Sequence, residues 1–486
     1  MFRGMTSSAS SQDARHGEFA AALSLFFLYL AFAPGHYQSV DGMLMFEQAR
    51  ALLYDGTLLF REPFVWDDTF ATSLYGIGLS VAYMPAIAVF SVFEPDVLQR
   101  LGTGVDLRRI YDDPVFTLAA TPTQAALAAF AAHRTAMLVR ELGFDRRTAL
   151  WALAFFGIGS PAFVYAGADF AQPLTAACVV YSIERGHHYR ATDSRAALIG
   201  CAISIGYAVL TRPLEASLLL PFAAVACIGY PDRKIRLSEV SSICIALGSV
   251  FALAVGLTLM VNTLRYGAPF HNEYASLGAR FVVPTTGVLG LLASPARGLA
   301  WTFPAIWLVP LGLRHLWRLE DRRSGAVALG GFSFLLLLVT GSWHSWFGGA
   351  CWGPRFMVSA LPLLAVAAAI GAAALDERKR RISSWTLLLL GIGCAAPGVL
   401  TDLFAGYGAK IASTEGSFAL IHYPPISGWQ FTSHVFAKGL VDRHAIDIVW
   451  FRAVGQRGWL ALIPSFGLPC GSSGLALRVS ASLRNG

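Results

Sequence analysis

Two acidic residues stand beside apolar segments of this chain, at positions where they could do chemistry. Asp41 follows the first apolar segment closely, and Asp169 lies just before a later one. A carboxylate at the edge of a membrane is costly to strip of water, so it usually has a partner or a function. Such a group can take a proton from an attacking hydroxyl or amine. We therefore predict that Asp41 and Asp169 are catalytic residues.

Arginines form the second group of candidates. Arg212, Arg297 and Arg355 each lie where a loop meets an apolar segment, beside a proline or a glycine. A guanidinium group binds two oxygens of a phosphate at once. We predict that these arginines converge on the phosphate or pyrophosphate group of a lipid. The alternatives are that they anchor the chain at the membrane surface or form salt bridges to acids such as Asp41.

Three further residues are candidates for binding a substrate, namely Glu215, His344 and Trp352. An aromatic face can stack on a sugar ring, although tryptophans beside a membrane usually form a belt at its surface. His36 and His344 could bind a metal, but a lone histidine usually does not. A divalent metal ion as cofactor is left open.

Both candidate acids also have a structural interpretation. Asp41 is a candidate N-cap for a short helix over Gly42–Tyr54, which Gly56 would end. Asp169 and Gln172 have the spacing of a capping box, with a proline in the first turn that follows. Capping and catalysis are compatible, so neither interpretation excludes the other.

Composition assigns the chain to the polytopic membrane proteins. Of its 486 residues, 55% are hydrophobic and 14% are charged, whereas soluble domains carry about 25% charged residues. The net charge of +7 comes from basic residues in short clusters between apolar segments, which is the pattern of the positive-inside rule and gives no indication of nucleic-acid binding. The seven cysteines include no CxxC pair, so neither a metal site nor a disulfide framework is indicated.

The basic clusters predict an all-α topology of about 11 spans (about 11–13). Residues 1–17 would form a cytoplasmic N-terminal tail, residues 18–400 a membrane domain and residues 401–486 an external C-terminal segment. The first external loop would cover residues 36–114 and contain helices that lie in the membrane surface. Its apolar run Tyr75–Phe93 is predicted not to cross the bilayer, because no basic cluster follows it.

Several segments, taken in their order, resemble membrane glycosyltransferases of the GT-C class. They are the loop that carries Asp41, then ADFAQPL, LTRPLEASLLLPF, LLASPARGLAWTFPAIWL and WFGGACWGPRFMVSALP. The class includes the lipid A aminoarabinose transferase, the protein O-mannosyltransferases and the Rhizobium lipopolysaccharide core transferases. The resemblance covers about Phe19–Leu400. It implies a polyprenyl-phosphate-linked sugar as donor and a catalytic or metal-linked role for Asp41.

A second acid in that class usually stands directly before a Pro-Leu pair. This chain has Gln172 at that position, so Asp169 is the nearest substitute.

The resulting prediction is a glycosyltransferase of the plasma (inner) membrane whose site faces the periplasm or the exterior. It would move a sugar from a polyprenyl-phosphate donor to an envelope glycolipid such as lipopolysaccharide, a polysaccharide or a protein, and direct attack predicts inversion. The alternatives left open are a lipid or solute transporter or flippase and a non-catalytic partner in an envelope complex. A transporter is disfavoured by the lack of an internal repeat in the hydropathy pattern and by few charges at mid-membrane depth.

Overall fold

The computed structural model is built from helices throughout the residues that it describes. These are 8–34, 38–60, 72–91, 114–229, 232, 236–271, 278, 280–401, 414–418, 429–430 and 433. Within them, the β-structure consists of one isolated bridge between Phe281 and Trp343. His36 lies outside the described residues.

The α-helices follow one another along the chain with short connections through most of the described part. The first ten are α1 Ser8–Ala31, α2 Val40–Arg50, α3 Gly78–Ser91, α4 Pro114–Glu141, α5 Arg146–Gly157, α6 Ala162–Tyr165, α7 Gln172–Thr192, α8 Arg195–Thr211, α9 Pro213–Ile228 and α10 Leu237–Tyr266. The others are α11 Thr285–Ala293, α12 Leu299–Thr302, α13 Val309–Arg318, α14 Arg323–Gly341, α15 Leu361–Ala373, α16 Glu377–Leu400 and α17 Thr414–Phe418. A π-helical turn, Ala51–Asp55, continues α2, and 3₁₀ turns cover Pro304–Leu308, Glu320–Arg322 and Arg355–Ala360.

Four helical segments in the described part are long and apolar enough to cross a membrane. They are Leu237–Tyr266, Glu320–Gly341, Arg355–Ala373 and Glu377–Leu400. Shorter apolar helices accompany them, and α15 lies at the centre with Leu361–Ala372 buried on every side. A helix that is apolar all round belongs in an interior. The prediction of an all-helical, multi-pass membrane protein is confirmed, whereas the number of spans and the domain boundaries stay predictions.

The contacts of helix α1 show which residues lie at each end of the bundle. In its first half, Gly17 touches the guanidinium group of Arg146. Beyond its other end, Pro34 packs against Gly167, and the next helix is α2, which carries Asp41. Arg146 and Asp41 therefore lie towards opposite ends of α1. We call these the basic end and the Asp41 end of the bundle.

Helix α3 occupies the apolar run that was predicted not to cross the membrane. Its Tyr83 packs in one cluster with Ala119 of α4 and Val209 of α8, and Tyr207 near the end of α8 donates a hydrogen bond to the carbonyl of Gly78 (2.8 Å). The 14 residues of α3 extend about 21 Å, less than the about 30 Å of a bilayer core. Its partners lie in the first half of α4 and the last turns of α8, towards the Asp41 end, and the non-crossing of this run stays a prediction.

Candidate active site

Helix α2 presents Asp41 from its first turn. Ser39 is the N-cap of this helix, because its hydroxyl oxygen accepts a hydrogen bond from the backbone N–H of Gly42 (2.8 Å). The prediction that Asp41 is the N-cap was therefore wrong, and the Asp41 carboxylate has other partners. Gly56, with φ of 63°, ends the π-helical turn that continues α2, as predicted.

Asp41 meets two residues from distant parts of the chain. Arg355 donates a hydrogen bond to one carboxylate oxygen and forms an ion pair with it. The hydroxyl of Tyr75 donates to the other oxygen at 2.5 Å. The side chains of Asp41 and Arg355 are 18% and 13% exposed, so the pair is shielded but still open to an incoming molecule.

A second arginine lies beside this pair. The guanidinium carbon of Arg355 is 4.2 Å from the ring centre of Phe170 and 5.8 Å from that of Phe356. The guanidinium carbon of Arg212 is 5.5 Å from the same Phe356 ring, and Arg212 forms an ion pair with Glu215. Two of the three predicted phosphate-binding arginines thus flank one aromatic ring, where cation–π attraction favours them.

Asp169 lies behind α2. One carboxylate oxygen accepts hydrogen bonds from the backbone N–H groups of Gln38 (3.2 Å) and Ser39 (3.3 Å), and the other accepts one from the Ser39 hydroxyl (2.9 Å). A Cβ on Gly42 would lie 2.1 Å from the Asp169 carboxyl carbon, so only glycine allows this contact. The predicted capping box at α7 is wrong, since Ala171 is the N-cap and no side chain caps that helix.

The environment of Asp169 changes its acidity. Burial is the main cause and raises the pKa of its carboxyl from the usual 3.8 to about 7. The nearby charge of Asp41 raises this pKa too, whereas the hydrogen bonds from Ser39 and Gln38 lower it. Asp169 is therefore partly protonated near neutral pH and holds the first turn of α2 in either state.

Arg297 is fully buried, and each nitrogen of its guanidinium group contacts protein. It donates to the carbonyl of Gly349 (2.6 Å), to the sulfur of Cys351 (2.7 Å) and to the hydroxyl of Ser417 (3.1 Å). Arg355 follows this loop and donates to the carbonyl of Gly348 (3.3 Å). Arg297 thus joins the loop before Arg355 to α17, part of the C-terminal segment.

Glu215 and Gln172 are among the buried side chains with polar atoms that lack a hydrogen-bond partner in the described part of the chain. Glu215, in the first turn of α9, is 3% exposed, and its second carboxylate oxygen has no hydrogen-bond partner among the described residues. Gln172, the first residue of α7, is 2% exposed, and neither the oxygen nor the nitrogen of its amide has a partner in the same part of the chain.

His344 and Trp352 are engaged within their own loops. The backbone N–H of His344 donates to the carbonyl of Arg280 (3.1 Å), and its ring accepts a hydrogen bond from the backbone N–H of Arg280 (3.3 Å). Trp352 is 2% exposed, and its indole packs against Gly398 of α16.

The residues that position Tyr75 were not predicted. Gln48 of α2 accepts hydrogen bonds from the Thr72 hydroxyl (3.0 Å) and from Arg265 (3.3 Å). Arg265, at the end of α10, also donates to the carbonyl of Tyr75 (2.8 Å). Gln48 is a polar residue within α2, and Arg265 is an arginine at a helix end. Neither feature of the sequence indicates which residue is its partner.

A metal ion at Asp41 is poorly supported by these neighbours. The described residues contain no group of three or more His, Cys, Asp and Glu side chains that could hold one. Asp41 faces a guanidinium group and a phenol, and Asp169 is occupied with the start of α2. These side chains do not fit a metal site as they stand, and the reaction that they suit needs no metal.

Comparison with known structures identifies the architecture. AglB, the archaeal oligosaccharyltransferase from Archaeoglobus fulgidus, matches in a complex with an inhibitory peptide and a dolichol-phosphate, at a TM-score of 0.54 and 14% identity over 85% of this chain. The fold is GT-C-like. The oligosaccharyltransferase of the same organism, tethered to an acceptor peptide, matches at a TM-score of 0.51 and 12% identity over 88% of this chain. The GT-C resemblance is thereby confirmed for the fold.

This chain covers only part of the length of the structures that it resembles. This chain spans 57% of AglB and 58% of the tethered oligosaccharyltransferase. ArnT from Cupriavidus metallidurans in the apo state aligns over 95% of this chain and 75% of its own, with 16% identity and a TM-score of 0.48. No protein-family model matches the sequence, and no curated protein matches it.

Proposed function

We propose that the protein is a glycosyltransferase that takes a sugar from a polyprenyl-phosphate carrier and passes it to an acceptor at the Asp41 end. One observation carries this proposal: a carboxylate, Asp41, lies with Arg355 and close to Arg212 at a partly exposed position. The likeness to AglB, whose structure contains a dolichol-phosphate, favours the same class of carrier lipid here.

The proposed reaction uses these groups as follows. The bond between the anomeric carbon and the phosphate oxygen breaks, and the lipid phosphate leaves with the electron pair. An acceptor hydroxyl or amine forms the new bond to that carbon from the opposite side, which inverts its configuration. Asp41 takes the acceptor proton, while Arg355 and Arg212 stabilise the charge on the departing phosphate.

The ion pair between Arg355 and Asp41 has a role in this scheme. A phosphate competes for the same guanidinium group, so donor binding would release the Asp41 carboxylate as the acceptor arrives. Tyr75 keeps its hydrogen bond to the other carboxylate oxygen and so holds the side chain in place.

The remaining candidates receive supporting roles in the proposal. Asp169 is a positioning residue that fixes the start of α2, and Arg297 is one that fixes the loop before Arg355. His344 and Trp352 belong to the structure of their loops. The acceptor would be an envelope glycolipid, polysaccharide or protein on the external face of the plasma membrane, because the basic clusters face the cytoplasm.

Sugar transfer by Asp41→Asn protein tests this function. The protein is reconstituted in nanodiscs with labelled sugars on undecaprenyl phosphate and with envelope extract as acceptor. We expect transfer by the wild type and a loss of about a hundredfold or more in the variant, the usual effect of losing a general base. Folding should survive, since Ser39 caps α2.

Glu47→Gln is the matched control. It removes an acid of the same helix whose partner is Arg50 (2.5 Å), away from the proposed site, and should transfer sugar at close to the wild-type rate. Near-wild-type transfer by well-folded Asp41→Asn protein would refute the role of Asp41. Movement of the lipid across the bilayer without any transfer would instead identify a flippase.

A further inference from the structure

Gln172 and Glu215 are buried side chains at the Asp41 end with polar atoms that have no hydrogen-bond partner among the described residues. These atoms are both amide atoms of Gln172 and the second carboxylate oxygen of Glu215. An unpaired polar group in an interior costs free energy. Polar residues that remain in such positions are therefore candidates for binding a ligand.

Gln172 and Glu215 begin neighbouring helices that run in the same direction. At the basic end, Arg190 near the end of α7 contacts Gly229, which ends α9. One turn earlier on α7, Gly186 faces Ala226 and its neighbours on α9. Counting back at about 1.5 Å per residue along both helices brings their first turns to within about one turn of each other.

The proposed phosphate site lies beside these first turns. Phe170, two residues before Gln172, lies under the guanidinium group of Arg355. Arg212, which precedes α9, pairs with Glu215 and shares the Phe356 ring with Arg355. The two unused groups therefore lie next to the arginines that would hold the phosphate.

We propose that Gln172 and Glu215 bind hydroxyl groups of the sugar that the carrier lipid brings, and that this sugar is uncharged. An amide offers a donor and an acceptor, and a carboxylate oxygen offers an acceptor, which together suit hydroxyl groups. The second oxygen of the Glu215 carboxylate would repel an acidic sugar, because Arg212 pairs with the other oxygen of that carboxylate. This inference rests on the proposed function and names the sugar class of the same site.

The Gln172→Leu variant tests the subsite. Leucine keeps much of the volume and removes amide atoms that make no hydrogen bond in the described protein, so folding should be unharmed. Binding is measured in nanodiscs for undecaprenyl phosphate alone, for the same lipid carrying a neutral hexose, and for one carrying a uronic acid.

We expect the wild type to prefer the neutral-hexose lipid. Gln172→Leu should bind that lipid about tenfold more weakly and bind bare undecaprenyl phosphate within about twofold of the wild type. Gln172→Met serves as the second variant if leucine prevents folding. Ser384→Ala is the matched control. Like Gln172→Leu, it removes a buried polar group that has no partner in the described residues, but Ser384 lies on α16 towards the basic end.

The outcomes separate the two proposals. If the wild type binds none of the three lipids, the proposed function is wrong and the sugar subsite falls with it. If the wild type binds bare undecaprenyl phosphate and Gln172→Leu alters all three affinities equally or none of them, the subsite alone is refuted. A wild type that prefers the uronic-acid lipid would overturn the assignment of an uncharged sugar.

Discussion

Replacing Asp169 with asparagine should make the protein more stable at alkaline pH than the wild type. The asparagine side chain has the same shape. Its oxygen can accept the hydrogen bonds from the N–H groups of Gln38 and Ser39, and its NH₂ group can donate to the Ser39 hydroxyl, which has a free lone pair. The substitution therefore keeps the contacts that hold α2 and removes the charge that burial penalises.

The pKa of Asp169 gives the size and the sign of the effect. The difference between about 7 in the folded protein and the usual 3.8 corresponds to about 4 kcal/mol, an upper bound. Between about pH 4 and pH 7 the folded state binds the proton more tightly than the unfolded state. Wild-type stability therefore falls as the pH rises through this range, and an asparagine at this position cannot titrate.

Thermal unfolding at pH 5 and at pH 8 measures this difference. The advantage of Asp169→Asn over the wild type should be larger at pH 8, whereas Asp321→Asn, at a residue whose side chain is 77% exposed, should follow the wild type. Sugar transfer by Asp169→Asn should stay within about threefold, because a positioning residue keeps its contacts. An equal gap at both pH values would refute the buried-charge argument, and a loss of about a hundredfold would make Asp169 catalytic.

Three further predictions follow from the contacts around the site. Tyr75→Phe removes the hydrogen bond to Asp41 and should lower the transfer rate about tenfold with little change in KM for the donor, whereas an unchanged rate would remove Tyr75 from the site. Ser417→Ala removes a buried hydrogen bond to the guanidinium group of Arg297. The variant should have a lower unfolding temperature and a lower transfer rate than the wild type measured in parallel, and no change in either would show that α17 does not support the site. In a background without other cysteines, a membrane-impermeant maleimide should label Asp55→Cys but not Asp321→Cys in intact cells, and labelling of both would overturn the topology.

The class of the protein and the main site candidates could be predicted from sequence, because both depend on local features. Apolar segments, basic clusters and acids at segment ends are visible in the chain itself. The N-cap of α2 was mispredicted because Ser39 and Asp41 are both good caps. Which of the two residues caps α2 depends on Asp169, whose carboxylate accepts a hydrogen bond from the Ser39 hydroxyl although the two residues are 130 positions apart.

The arginines illustrate the same limit. Arg297 and Arg355 have similar local sequences, each at a loop end beside a glycine or proline. Arg355 reaches Asp41, whereas Arg297 is enclosed by the carbonyl of Gly349 and the hydroxyl of Ser417. Because these partners come from other elements, no local pattern distinguishes an arginine that faces a ligand from one that supports a loop.

The contact between Asp41 and Arg355 joins residues 314 positions apart, and this separation has a consequence for biosynthesis. At translation rates of about 5–20 residues per second, Asp41 is made on the order of 15–60 s before its partner. A nascent or truncated chain that ends before Arg355 contains the Asp41 carboxylate but lacks the Arg355 guanidinium group. If Arg355 and Arg212 bind the carrier phosphate together as proposed, unfinished copies contain only Arg212 and would bind this lipid more weakly than the finished protein.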